Sequence, residues 1–183
     1  MKHLVIDTET TGLYPQINKT LTVGMLLIEV NNNYLEILDS NHIFIRHENY
    51  NASPKALKVN KIDLNKHHQI AIKPKKACSQ INSFIEKNNL IKTPILGHNI
   101  SFDRGFIETL FNQEKTTSLL SKQSIDTLHL WNLLKMKNRV PWNLRNNLKT
   151  LADFFKVDYS NAHNALADCE ITAKVYFKML KLL

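Results

Sequence analysis

Residues 4–12 read Leu4-Val5-Ile6-Asp7-Thr8-Glu9-Thr10-Thr11-Gly12, an apolar run that stops at two alternate carboxylates. Residues 4–6 predict a buried strand. Positions i and i+2 of a strand share a face, so Asp7 and Glu9 project side by side. Two like charges this close repel unless a cation lies between them. The Thr-Thr-Gly that follows breaks the strand as a turn does. Taken alone, the pair also reads as an ordinary strand end with solvated acids.

The whole chain narrows the setting of that pair. Its 183 residues suit a single domain, 1–183, able to bury roughly two-thirds of the surface of its unfolded chain. Cys78 and Cys169 form no Cys-x-x-Cys pair, which fits a reducing compartment. No apolar run approaches the ~20 residues of a membrane span, and the first apolar patch is too short for a signal peptide. A cytoplasmic protein with no membrane contact is expected. Lys and Arg outnumber Asp and Glu by 24 to 16, a formal charge of +8, and such a surface attracts polyanions such as nucleic acid.

Outward from the opening strand, residues 21–30 and 34–45 predict a hairpin joined by Asn31-Asn32-Asn33. Residues 51–76 predict loops and short helices, with Lys55, Lys58, Lys61 and Lys66 as a solvated face. Ala77, Ile81, Phe84 and Ile85 predict a helix after Pro74, and residues 93–97 a short strand. Ser101 is placed as the cap of the next helix, whose apolar face is Phe102, Phe106, Ile107, Leu110 and Phe111. Residues 124–126 predict a last strand, leading into a helix through Leu128, Leu130, Trp131 and Leu134. Residues 148–155 predict a short helix, and Ile171, Val175, Tyr176, Met179, Leu180 and Leu183 are the buried stripes of the final one. Residues 135–149 hold five cations and no acid beside Trp131 and Trp142. That segment reads equally as a nucleic-acid contact and as a solvated loop with a tryptophan in the core.

Two further stretches bear on the opening pair. In Gly97-His98-Asn99-Ile100-Ser101-Phe102-Asp103 a strand ends in glycine and a carboxylate follows inside a helix start. In His163-Asn164-Ala165-Leu166-Ala167-Asp168 a histidine precedes an aspartate by five residues, roughly 140° apart on a regular helix. The two cannot share a helical face. His163 is therefore expected in the loop or first turn and Asp168 pointing inward from the helix.

These residues resemble the DnaQ-like 3′→5′ exonucleases, the histidine branch of the DEDD superfamily. VIDTETTGL is similar to the family's first motif, GHNISFDRGF to its second and AHNALADC to its third, and Ile125-Asp126-Thr127 to a short intervening segment. The resemblance spans nearly the whole chain. It implies an α/β, ribonuclease H-like fold with a mixed central sheet of about five strands flanked by helices. It also implies stepwise release of nucleoside monophosphates from single-stranded 3′ ends, DNA in the first instance and RNA as the alternative, with a DNA polymerase subunit as a candidate partner. A binding module without catalysis remains the reading from another class, and the presence of all five catalytic residue types argues against it. With Leu183 almost directly after the last helix, no tail for tethering to a polymerase is expected, and a surface docking site would serve instead.

By the same resemblance Asp7, Glu9, Asp103 and Asp168 are the metal-site carboxylates. Asp7, Glu9 and Asp168 hold the ion that carries the water, Asp7 bridges to a second ion, and Asp103 reaches both largely through water. Four carboxylates without clustered Cys or His suit two ions of Mg²⁺ or Mn²⁺ rather than zinc. His163 is the general base, its ordinary pKa of about 6.5 leaving it neutral at cellular pH. Thr8, Thr10, Leu13, His98, Asn99 and Phe102 are the candidate substrate contacts, Leu13 lying against the terminal base. His98 reads equally as a histidine closing a strand end and Leu13 equally as core packing. Asp126 is taken as a structural carboxylate. Two positions depart from the family pattern: Thr22 stands where a glutamate is common before Gly24, and Lys61 where a glycine is common before Ile62-Asp63.

Overall fold

The computed structural model describes residues 1–183. Its centre is a five-stranded mixed sheet of order β3-β2-β1-β4-β5. β1 (Lys2–Thr10), β2 (Thr20–Val30) and β3 (Leu35–Phe44) form an antiparallel meander. β4 (Ile95–Gly97) and β5 (Ser124–Asp126) add on the other side, parallel to β1. The expected mixed sheet and hairpin are both present. β2 is buried at every position but one because helices cover both faces of the sheet at its centre, which a continuous apolar run such as LTVGMLLI suits.

The period of two along β1 sorts its side chains between two layers. Leu4 and Ile6 pack with α3 (Pro74–Lys87) and α4 (Ile100–Gln113), through Ile81, Phe84, Ile107 and Phe111. Val5 faces the opposite layer, where Cys169, Ala173 and Tyr176 of α7 (Ala165–Leu180) meet Leu26 and Ile28. Behind α7, Ile171, Val175 and Met179 pack on Trp131 and Leu134 of α5 (Thr127–Met136) and Leu151 of α6 (Leu148–Phe155). The two short helices α1 (Pro54–Asn60) and α2 (Leu64–Ile70) fill the 51–76 stretch, and Lys55, Lys58, Lys61 and Lys66 are all exposed on them.

Two local expectations, at Ser101 and Leu183, are corrected, and the open reading of residues 131–149 is divided. α4 begins at Ile100, after Asn99 at φ 59°, and Ser101 lies inside the helix rather than capping it. The cap comes from another element: the Asp126 carboxylate accepts the N–H groups of Asn99 and Ile100 at 2.8 and 3.2 Å, which local sequence cannot announce. The aromatics of residues 131–149 separate, Trp131 being fully buried and Trp142 64% exposed. Lys135 is buried too, its ammonium donating to the Leu144 carbonyl and the Asn146 side chain, so it is a structural cation and not a strand contact. Leu183 lies beyond α7 and is exposed. No helix is long and apolar enough to cross a membrane.

Candidate active site

The acids converge where β1 outruns its neighbour. β4 pairs only with Leu4 and Val5 and ends at Gly97, so the β4-side edge of β1 is open beyond it. There the Thr8 N–H donates to Asp103 Oδ1 at 2.8 Å and the Thr8 hydroxyl donates to the same oxygen at 2.7 Å. A carboxylate from α4 thus replaces the missing strand. A register shift between Glu9 and Thr10 then bends the end of β1, as a bulge beside a site does.

From the opposite layer α7 brings Asp168. Ligand oxygens of Asp7, Glu9 and Asp168 all lie within 4.8 Å of one another. This approach depends on Gly24, which pairs with Asp7 across the sheet. A Cβ there would stand 2.4 Å from the Ala165 carbonyl and 2.6 Å from the Leu166 nitrogen, so only glycine lets the start of α7 settle onto β2. The backbone contact was invisible in the sequence, although the glycine itself was in plain sight.

Burial and mutual repulsion dominate the electrostatics. Glu9 is pushed up to about 8, first by burial and then by Asp168 and Asp103. Asp103 is pushed up to about 7 by burial, against the lowering effect of its two bonds from Thr8. Asp7 is raised well above the ordinary carboxylate range by burial, then by Asp103, Asp168 and Glu9. Asp168 is raised by burial, partly offset by the His163 N–H. Asp168 Oδ2 accepts that N–H at 3.0 Å, whereas Oδ1 is buried with no hydrogen-bond partner. A divalent cation fits this set: it would satisfy the orphaned oxygen and cancel the repulsion of the three acids.

His163 lies just ahead of the α7 cap Asn164, at φ 70° and half-buried. It is outside the helix and Asp168 inside it, as the spacing required. The Tyr159 ring meets its imidazole edge-on with centroids 6.1 Å apart. The Tyr159 phenol is pushed up to about 12, by burial first and then by Asp168, Asp7 and Glu9. Tyr159 thus lies beside His163 within the field of the acids, a placement no motif signalled; its only sequence mark is an aromatic four residues before His163.

The remaining candidates fall into two groups. Leu13 is 67% exposed on the loop after β1, and Phe102 and His98 are half-buried with Asn99 exposed at the start of α4. His98 Nδ1 bonds the Thr127 hydroxyl at 2.9 Å, and burial lowers its pKa. By contrast the Thr8 hydroxyl is committed to Asp103, and the Thr10 hydroxyl donates to the Gly12 carbonyl at 2.7 Å. Both threonines are buried, so their side chains shape the strand end instead of presenting hydroxyls to solvent. Asp126 caps α5 and α4, accepting from Leu128, Asn99 and Ile100, and is structural.

An exonuclease family model matches residues 4–176, which contain all three acidic stretches in order. The chain belongs to this exonuclease family. It is a DnaQ-like 3′→5′ exonuclease, a phosphodiester hydrolase. It is 26% identical over 187 residues to ribonuclease T of Wigglesworthia glossinidia brevipalpis, covering 97% of this chain and 83% of that protein. It is 29% identical over 179 residues to the PolC-type DNA polymerase III of Halalkalibacterium halodurans, of which it spans 11%. Among solved structures, E. coli exonuclease I in complex with a dT13 oligonucleotide superposes with a TM-score of 0.81 at 18% identity, over 97% of this exonuclease and 40% of that chain. At that identity the likeness is one of fold, and it is the fold expected for the family.

Proposed function

We propose that residues 1–183 form one exonuclease domain that removes nucleoside monophosphates stepwise from single-stranded DNA 3′ ends. The observation that carries this reading is the Asp7, Glu9 and Asp168 cluster with its unpartnered Asp168 oxygen. The fold shared with an exonuclease I that holds dT13 supports single-stranded DNA as the ligand. The free, buried cysteines Cys78 and Cys169 support a reducing, cytoplasmic setting.

In this reading Asp7, Glu9 and Asp168 would hold the metal, with Asp103 as the fourth carboxylate of the set. Oxygen-only donors favour Mg²⁺ or Mn²⁺. When bound, two such ions supply Lewis acidity for an in-line displacement at phosphorus. His163, outside the helix and next to Asp168, takes the proton of the attacking water. Tyr159 holds the imidazole from its edge. Leu13 lies against the terminal base, with Phe102, His98 and Asn99 lining the strand on the α4 side. Thr8 and Thr10 act on the strand only by shaping the end of β1.

Trimming of RNA is the second reading, favoured by the match to ribonuclease T over most of that protein's length. A polymerase subunit as partner rests on the PolC-type relative. The test is incubation of 3′-tailed DNA and the matching RNA with Mg²⁺, with Mn²⁺ and with chelator, beside Asp7→Ala. Stepwise shortening that needs metal and disappears in Asp7→Ala is expected, and equal shortening by the variant overturns the assignment. His163→Ala should lose at least about 100-fold in turnover while still binding strands; near wild-type turnover would move the base elsewhere.

A further inference from the structure

A second feature lies away from the acids. A cavity of about 750 Å³ opens between the end of β3 and the facing ends of α2, α3 and α4, with no apolar lining other than Pro74. Four cations line it, Lys19, Arg46, Lys73 and Lys75, against two acids, Glu48 and Glu114. None of the four cations forms an ion pair, the three pairs in the molecule being Lys87–Asp39, Lys149–Asp153 and Lys174–Glu170. Unpaired cations gathered in a concave site focus a positive potential that a neighbouring polyanion lowers.

The cavity lies at the same end of the sheet as the acids, since Thr20 pairs with Thr10 and Phe44 with Thr22. Lys19 donates its N–H to the Thr11 hydroxyl at 2.8 Å, two residues past Glu9. Lys19 and His47 also line a small crevice of about 10 Å³ against Thr109 and Phe106 of α4 and Pro15 of the loop that carries Leu13. α4 itself joins the two places, with Asp103 in its first turn and Gln113 at the cavity, about 15 Å apart at 1.5 Å per residue.

We infer that this groove holds the phosphodiester backbone of the substrate strand several nucleotides upstream of the 3′ end seated at the acids. The inference rests on the exonuclease reading above and adds to it a second, sequence-independent contact. Phosphates are common to DNA and RNA, so the groove serves either sugar. A strand pinned at two points stays bound after each cleavage and needs to advance only by one nucleotide.

The experiment compares the wild type with the triple variant R46E/K73E/K75E, by fluorescence anisotropy of labelled dT12 and dT3 in chelator, across 50 to 200 mM salt. Circular-dichroism melts establish that the variant is folded; if it is not, the single variants K73E and K75E, both at exposed positions, carry the test. In the triple variant the advantage of dT12 over dT3 should fall at least about tenfold, and the salt slope for dT12 should shrink by about 2, at roughly 0.7 per lost phosphate contact. An unchanged advantage and slope in the folded variant overturns the groove and leaves the exonuclease assignment intact. Failure of the wild type to shorten any strand with metal would instead remove the reading on which the groove depends.

Discussion

Thr8 binds Asp103 twice, through its N–H at 2.8 Å and its hydroxyl at 2.7 Å, both to the same carboxylate oxygen. One residue of β1 thereby fixes an acid that is 95 positions away in the chain. It does so next to Asp7, so the strand that carries two of the carboxylates also orients a third.

Removing only the hydroxyl, in Thr8→Val, leaves the backbone bond and deletes one donor to an ionised group. Such a bond contributes about 1.5–3 kcal/mol. The bonds from Thr8 lower a carboxyl that burial pushes up to about 7 in the metal-free site, so losing one raises it further there and makes metal compete harder with a proton at the acids. Activity at limiting Mn²⁺ should drop about tenfold at pH 7, the deficit narrowing as Mn²⁺ or pH is raised. Wild-type activity at limiting Mn²⁺ would sever Thr8 from catalysis.

Gly24→Ala inserts a methyl 2.4 Å from the Ala165 carbonyl. The start of α7 must then lift, taking Asp168 out of the cluster. Metal affinity, measured by titration calorimetry with Mn²⁺, should weaken at least about tenfold, with a stability loss of about 1–3 kcal/mol for overpacking. Wild-type Mn²⁺ affinity would show that α7 can accommodate the methyl elsewhere.

Stability should depend on pH without metal and much less with it. Glu9 at about 8 and Asp103 at about 7 stand above the ~4 expected of unfolded carboxyls. Between pH 4 and 8 the folded chain therefore holds more protons than the unfolded one. The sign follows: stability from these groups is complete below about pH 4 and is lost as pH rises through 8, to the extent of a few kcal/mol. Metal-free protein should melt lower at pH 8 than at pH 5.5, and saturating Mg²⁺ or Mn²⁺ should remove most of that difference and release protons. Thermal melts in chelator that are flat over this range would contradict the crowding of the acids.

Lys61 closes α1 at φ 56°, a left-handed backbone. That is where the family pattern favours glycine, and an L side chain there costs roughly 1–2 kcal/mol. Lys61→Gly should raise stability by about 0.5–1 kcal/mol once glycine's greater unfolded freedom is deducted. Activity should not change, because Lys61 is exposed and outside the site. A lower midpoint in urea would refute the strain.

Much of this molecule was present in its local patterns. The period of two in residues 4–9 put Asp7 and Glu9 on one face, and five-residue spacing placed His163 outside the helix that carries Asp168. Apolar residues at helical intervals marked α3, α4, α6 and α7 to within a few positions. Those features depend on neighbours a turn or two apart, and a chain states such relations in its own order. The sequence by itself therefore determined the elements, the acidic residues and the family they indicate.

Tertiary structure alone decided what those groups meet. Asp103 and Asp168 arrive from opposite layers of the sheet, one received by an N–H that β4 is too short to pair, the other admitted by the missing side chain of Gly24. Asp126, not Ser101, caps α4, and Lys135 turns inward while Lys19, Arg46, Lys73 and Lys75 share a cavity. Tyr159 becomes part of the site because a loop carries it to His163. Each of these depends on burial and close approach between segments far apart in the chain, where packing and solvent exclusion, and not periodicity, set the energy.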